Sequence, residues 1–200
     1  MGNKTTHIGF VMTLLVLLAA VPVGNAFGQN ARINFGAYGN LPIEIMAVGH
    51  DVLEFGQIMT GDPDVVISQD DPRAVILEIN AVEYMDLNVT LTPPPGSQLL
   101  RDGDPETGIG VQIYMAYYNQ GNVDPEIAAA QATAVTGEMI TFPVRRRVGG
   151  PPGPPPTPGH SGYTPPTAKA YLIIYGTLLV GSETLKAGTY NGEILVEVSY

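Results

Sequence analysis

The sequence predicts an all-β domain, a sandwich of antiparallel strands, and three observations carry that expectation. In the last stretch Ile194, Val196, Val198 and Tyr200 share one face while Glu193, Glu197 and Ser199 share the other, the two-residue period of a half-buried strand. Short runs of similar character recur upstream between turn signals such as Asp62-Pro63-Asp64 and Gln69-Asp70-Asp71-Pro72, a spacing that suits a sandwich. One segment alone, Asp124 to Ala132, carries a helical signal.

The chain opens on a segment outside that fold. Lys4 gives a positive start, Ile8 to Ala20 is an uncharged apolar run, and Gly24-Asn25-Ala26 or Ala26-Phe27-Gly28 offers small residues for cleavage. Residues 1–28 therefore read as a secretory signal peptide. The apolar run, about 13 residues, falls short of the roughly 20 that span a bilayer. The mature chain is expected to have no transmembrane segment and to be exported to the periplasm, the cell surface or the extracellular space. Losing Lys4 changes the formal charge from −10 to −11, and such an acidic surface disfavours nucleic acid as a partner. With no cysteine, the exported chain has neither a disulfide framework nor a thiolate metal site.

Residues 29–41 form an extended arm in which Ile33, Phe35 and Ala37 alternate with polar positions. The arm is either a first edge strand or a strand donated to a neighbouring subunit by β-addition. The sandwich domain occupies 42–200. Its first strand is expected near Ile43 to Val48, and a short one with a break at Gly56 follows around Leu53, Phe55 and Ile58. Strands are then expected over 65–68, 74–80 and 84–92, the last ended by Pro93-Pro94-Pro95, which cannot donate to a ladder. Val111 to Tyr118 alternates with an aromatic second face. Asp124 and Pro125 suit the cap and first position of a short helix, and Glu138 to Val144 returns to strand.

Arg145-Arg146-Arg147 leads into a Pro/Gly-rich stretch, 148–166, that cannot pack as strand or helix and is expected as a long surface loop. It is read as a tolerated insertion or as a peptide-like contact, with the arginines meeting acidic surface on a neighbour. Ala170 to Gly181 and Gly188 to Tyr200 close the domain. The last strand is expected to lie between other strands, because its backbone groups and apolar face both need partners.

Two sets of residues carry a resemblance. Leu53-x-Phe55-Gly56-x-Ile58-x-x-Gly61, Gly176-Thr177-Leu178-Leu179-Val180 and Ala187-Gly188-Thr189-Tyr190-x-Gly192-x-Ile194-x-Val196-x-Val198-x-Tyr200 resemble a family of secreted bacterial β-sandwich domains of unknown function. That family is similar in turn to spore coat protein U and fimbrial, pilin-like subunit domains. The resemblance implies an immunoglobulin-like antiparallel sandwich, assembly into surface structures and no catalytic residues.

Few constellations carry other chemistry. Of the histidines after the leader, only His50 and His160 remain, which gives little support to a histidine metal site or a Ser-His-Asp triad. Asp102, Asp104 and Glu106 alternate as calcium-loop carboxylates do, yet Thr107 and Ile113 stand where an EF-hand needs Gly and Glu, so a solvated acidic turn competes with a metal site. No cofactor is implied. The leading function is an exported structural or adhesive surface protein, a pilin-like or coat subunit, with Ile33, Phe35 and Ala37 of the arm and Ile194, Val196, Val198 and Tyr200 of the last strand as assembly residues. Its partners would be further copies or other surface subunits, and a periplasmic chaperone. The alternative is a monomeric secreted module binding glycan or peptide through Tyr114, Tyr117 and Tyr118 or the proline loop; an exported hydrolase is the third.

Overall fold

The computed structural model describes residues 42–121, 123–146, 165–181 and 184–200. The leader, the arm with Ile33, Phe35 and Ala37, and the Pro-rich loop apart from Pro165 and Pro166 lie outside the described residues. Within them the strands, in chain order, are β1 (Glu44–Val48), β2 (Val65–Ile67), β3 (Val75–Val82), β4 (Asp86–Thr92), β5 (Gln98–Arg101), β6 (Asp104–Tyr118), β7 (Thr133–Ala134), β8 (Met139–Pro143), β9 (Thr167–Leu179), β10 (Tyr190–Asn191) and β11 (Leu195–Ser199). One α-helix, α1 (Pro125–Ala130), is described among them.

These strands make two antiparallel sheets. The larger runs β1-β3-β9-β6-β5-β10, with β2 added to β9 and β7 to β6; the smaller runs β11-β4-β8. The chain is thus an all-β sandwich, as its alternation predicts. The two long strands form the spine, paired from Gly110↔Leu179 to Tyr118↔Tyr171, and β3 lies along β9 from Val75↔Ile174 to Val82↔Thr167.

Alternate residues of the spine, Met115, Ala170, Leu172 and Ile174, meet Leu87, Val89 and Leu91 of β4 and Phe142 of β8 in the main core. Phe142 stacks on Tyr117 with ring centroids 4.4 Å apart. Each such side chain, fully buried, contributes roughly 1.5–3 kcal/mol from burial alone. The opposite face of the spine carries Tyr118, Tyr171 and Ile173, onto which α1 presses Ala128 and Ala129. The Tyr171 hydroxyl donates to the Val123 carbonyl at 2.9 Å.

At 13 and 15 residues, β9 and β6 outreach the seven residues of β4. Their far end, with Ile109, Val111, Leu178 and Val180, is covered instead by Phe55, Ile58, Leu99, Leu185 and Tyr190.

Three expectations need correction. The stretch around Leu53, Phe55 and Ile58 is not a strand: it follows β1 without a ladder partner, because its alternate side chains turn onto the far end of the spine rather than along a neighbouring strand. The last segment is not one internal strand. It is two, split between the sheets, and among the described residues β11 is an edge that pairs with β4 alone. Its apolar face and half its backbone groups are satisfied from one side, and the solvated Glu197 and Ser199 tolerate the rest. Finally, the acidic turn expected over Asp102 to Glu106 is shorter: Asp102 and Gly103 form an exposed turn, and Asp104 to Glu106 already belong to β6.

Candidate functional site: an open groove between the first and last segments

Residues 42–60 and 185–200 run side by side in opposite directions, tied at both ends. At one end the Tyr200 hydroxyl donates to the Pro42 carbonyl at 2.8 Å and accepts from the Val82 amide at 2.9 Å. At the other the Leu185 amide donates to the Thr60 hydroxyl at 3.2 Å. Between these ties, among the described residues, each segment has a ladder partner only on its outer side: β1 with β3, β10 with β5, β11 with β4. The free edges of β1 and β11, which have no further ladder partner among the described residues, thus lie at the same margin of the sandwich, an arrangement that natural proteins ordinarily cover.

The inner face is apolar along this margin and incompletely covered. Ile45 stands directly opposite Ile79 on the ladder and so shares its face, yet Ile45 is 42% exposed where Ile79 is 0% exposed. On the other sheet Val196 is opposite Leu91 and Val198 opposite Val89; the β4 residues are buried and the β11 residues half-buried. Ile194, Val196, Val198 and Tyr200 all pack at the edge of the main core. Met46, Val52, Met59 and Leu195 add exposed apolar side chains on the same two segments.

Toward the Thr60 end the groove opens into a cavity of about 880 Å³, walled by Leu53, Phe55 and Ile58 on one side and Leu185 and Tyr190 on the other, above Ile109. The Phe-Gly and Ala-Gly-Thr-Tyr motifs, more than a hundred residues apart in sequence, thus line one cavity. Two glycines shape it. Gly56 has φ +83°, a conformation that costs other residues about 1 kcal/mol or more, and it lets Phe55 and Ile58 both turn inward. At Gly192, where the chain crosses from one sheet to the other, a Cβ would come within 2.8 Å of Leu99 and 3.0 Å of Pro94.

A polar frame holds the rim. The Tyr190 hydroxyl donates to the Lys186 carbonyl at 2.8 Å and accepts from the Lys186 amide at 3.2 Å, and the Arg101 guanidinium donates twice to the Ala187 carbonyl. The Lys186 ammonium reaches Thr107 Oγ1 at 2.9 Å and Asp104 Oδ2 at 3.1 Å. The Thr107 hydroxyl, and then the Lys186 ammonium, hold the Asp104 carboxyl below its ordinary range. Burial raises the Tyr200 phenol, and the Val82 amide opposes that shift.

Of the residues singled out from sequence, Ile194, Val196, Val198 and Tyr200 come together on the groove; Ile33, Phe35 and Ala37 are outside the described residues. Asp102, Asp104 and Glu106 do not converge on a cation site. Asp102 accepts from the Asn191 amide at 2.9 Å and Asp104 is taken by Lys186, and no group of three or more His, Cys, Asp or Glu residues arranged for a metal occurs among the described residues. Arg145 pairs with Glu83 of its own chain at 2.8 Å rather than waiting for a neighbour. Tyr117 packs against the main core and Tyr118 on the opposite face with Tyr171 beneath α1, leaving Tyr114 alone of that trio exposed. Ile45, Met46, Val52 and Met59 were not legible as site residues: the first two belong to a segment that reads only as a strand, and Val52 and Met59 fall outside the Leu53, Phe55 and Ile58 set. No described helix is long and apolar enough to cross a membrane. No family model matches this chain, and no curated protein matches it.

Proposed function

We propose that the chain is an exported structural or adhesive surface subunit, pilin-like or coat-like, that assembles by receiving an extended segment of another copy in the groove between residues 42–60 and 185–200. The observation that supports this reading is the pair of edges that have no second ladder partner among the described residues, flanking an apolar margin with Ile45 exposed. An extended segment laid there forms main-chain bonds to both edges, each contributing roughly 0.5–1.5 kcal/mol net, and its alternate side chains cover Ile45, Val196 and Val198.

The arm at 29–41 has the required pattern in Ile33, Phe35 and Ala37. Donation head to tail generates an open filament. The leader-like residues 1–28 and the resemblance to spore coat and fimbrial domains support an exported setting, with a periplasmic chaperone covering the groove before assembly and an immunoglobulin-like arrangement of the sandwich. The test is to delete Gln29 to Tyr38 and compare the product with the full-length mature protein by gel filtration and electron microscopy. Filaments of the full-length protein and discrete particles of the deletion are expected. A full-length protein that stays monomeric, with an equally stable deletion, overturns the reading.

A further inference from the structure

The outward face of the large sheet, where α1 does not cover it, carries a different kind of surface. Tyr114 of β6 and Tyr175 of β9 are directly opposed, their ring centroids 5.7 Å apart and tilted by 36°. Tyr114 is 41% exposed and Tyr175 half-buried. The Tyr114 hydroxyl donates to Gln112 Oε1 at 2.7 Å, which orients the ring and leaves the Gln112 amide N–H groups outward. Thr177 is opposite Gln112 on the neighbouring strand.

Beside the tyrosines the edge of β6 has no strand partner among the described residues between Gly110, where its pairing with β5 stops, and Ala116, where its pairing with β7 starts. That gap is a notch of about 440 Å³ whose walls include Pro93, Ser97, Gln112, Tyr114 and Glu138. Ser97 holds the wall in a left-handed conformation, φ 52°, uncommon for a residue with a side chain. The two aromatic rings and the amide of the outward face thus border, at the margin of the sandwich, a notch that also holds the Ser97 hydroxyl, the Glu138 carboxylate and apolar Val111 and Ile113, on a chain whose formal charge is −10. None of these residues lines the assembly groove.

We infer that this face is a binding platform for a neutral glycan: the Tyr114 and Tyr175 rings stack on the C–H faces of consecutive pyranose rings, Gln112 and Ser97 bond to hydroxyls, and Glu138 accepts from a hydroxyl in the notch. An anionic glycan meets repulsion from Glu138 and from the acidic body, whereas a neutral one loses nothing to the field and gains the flat apolar contact that tyrosine supplies at low cost in side-chain entropy. The site does not depend on whether the subunits polymerise.

The experiment is native affinity electrophoresis of the full-length mature protein in gels containing barley β-glucan, hydroxyethyl cellulose, galactomannan, dextran or, as the anionic arm, polygalacturonate. Retardation by at least one of the four neutral polymers is expected, with none by polygalacturonate. Tyr114→Ala should weaken the retarding interaction by about tenfold or more, exposed Gln112→Ala should weaken it less, and Tyr114→Phe should keep most of it, all with thermal midpoints near that of the parent. Lack of retardation by every neutral polymer overturns the inference, as does retardation by polygalacturonate alone or retardation that Tyr114→Ala leaves unchanged.

Discussion

The hydroxyl of Tyr200 joins the last residue of the chain to the carbonyl of Pro42, 2.8 Å away, just where the chain enters β1. The same oxygen receives the Val82 amide from β3, so one phenol pins the margins of both sheets. Tyr200→Phe keeps the ring and removes both bonds. It is expected to cost about 1–3 kcal/mol, chiefly because the partly buried Val82 amide loses its partner while the exposed Pro42 carbonyl can turn to water, and the check is a lowered denaturant midpoint with an unchanged slope.

Core and edge should respond differently to the same substitution. Val89→Asp places an unpaired charge beneath the small sheet, where Val89 is 1% exposed, and is expected to abolish the folded state. Val196→Asp, at which the alternation alone predicts equal damage, sits half-buried on an edge where the carboxylate reaches water. A folded, weakened protein is expected from circular dichroism and cooperative melting, together with loss of filaments if the groove assembles them.

At Gly192 any side chain meets Leu99 and Pro94. Gly192→Val is expected to destabilise by about 1–3 kcal/mol through overpacking and backbone shift. Chemical denaturation measures it, and exposed Gly137→Ala offers a comparison: its φ of +94° strains the new residue but nothing within 4 Å crowds it, so its cost should be the smaller.

The acid limb of stability should depend on Asp104. Thr107 and Lys186 hold its carboxyl below the ordinary 3.8, so the folded state binds the proton less readily than the unfolded chain. The contribution is present above about pH 4 and fades as pH falls through the lowered value. Asp104→Asn should flatten the decline in thermal midpoint below about pH 4, and 1 M salt should narrow the gap between the two proteins near neutrality, because this pair is exposed and screened. Identical acid limbs would show that the interaction is not formed in solution.

The strands that the sequence made legible were those with an internal pattern. Val65, Ile79, Leu87 to Leu91 and Leu172 to Leu178 alternate or run apolar, and they form strands where expected. Pro125 starts the one described helix, although Asp124 caps it without a side-chain bond. Long-range facts were not legible. Whether Val196 lies in the middle of a sheet or, as among the described residues, on its edge depends on what pairs beyond it, and a two-residue period is the same in either place. The groove was hidden for a related reason: its walls come from opposite ends of the chain, and Ile45, Val52 and Met59 are unremarkable until their neighbours fail to cover them. Likewise Asp104 looked like a metal-loop carboxylate because the lysine that claims it is Lys186, across the hairpin and far along the chain.

The adjacency of Pro42 and Tyr200 also fixes how the domain carries load. A pull applied through these two ends starts at the tips of β1 and β11, and each ladder then opens one bond at a time, like a zip, at low force. A segment lying lengthwise in the groove is loaded in shear, so that its backbone bonds on both sides resist together until they break at once. The fold is therefore expected to yield easily to a pull between Pro42 and Tyr200, and the borrowed strand proposed above to hold far more firmly against tension along its length.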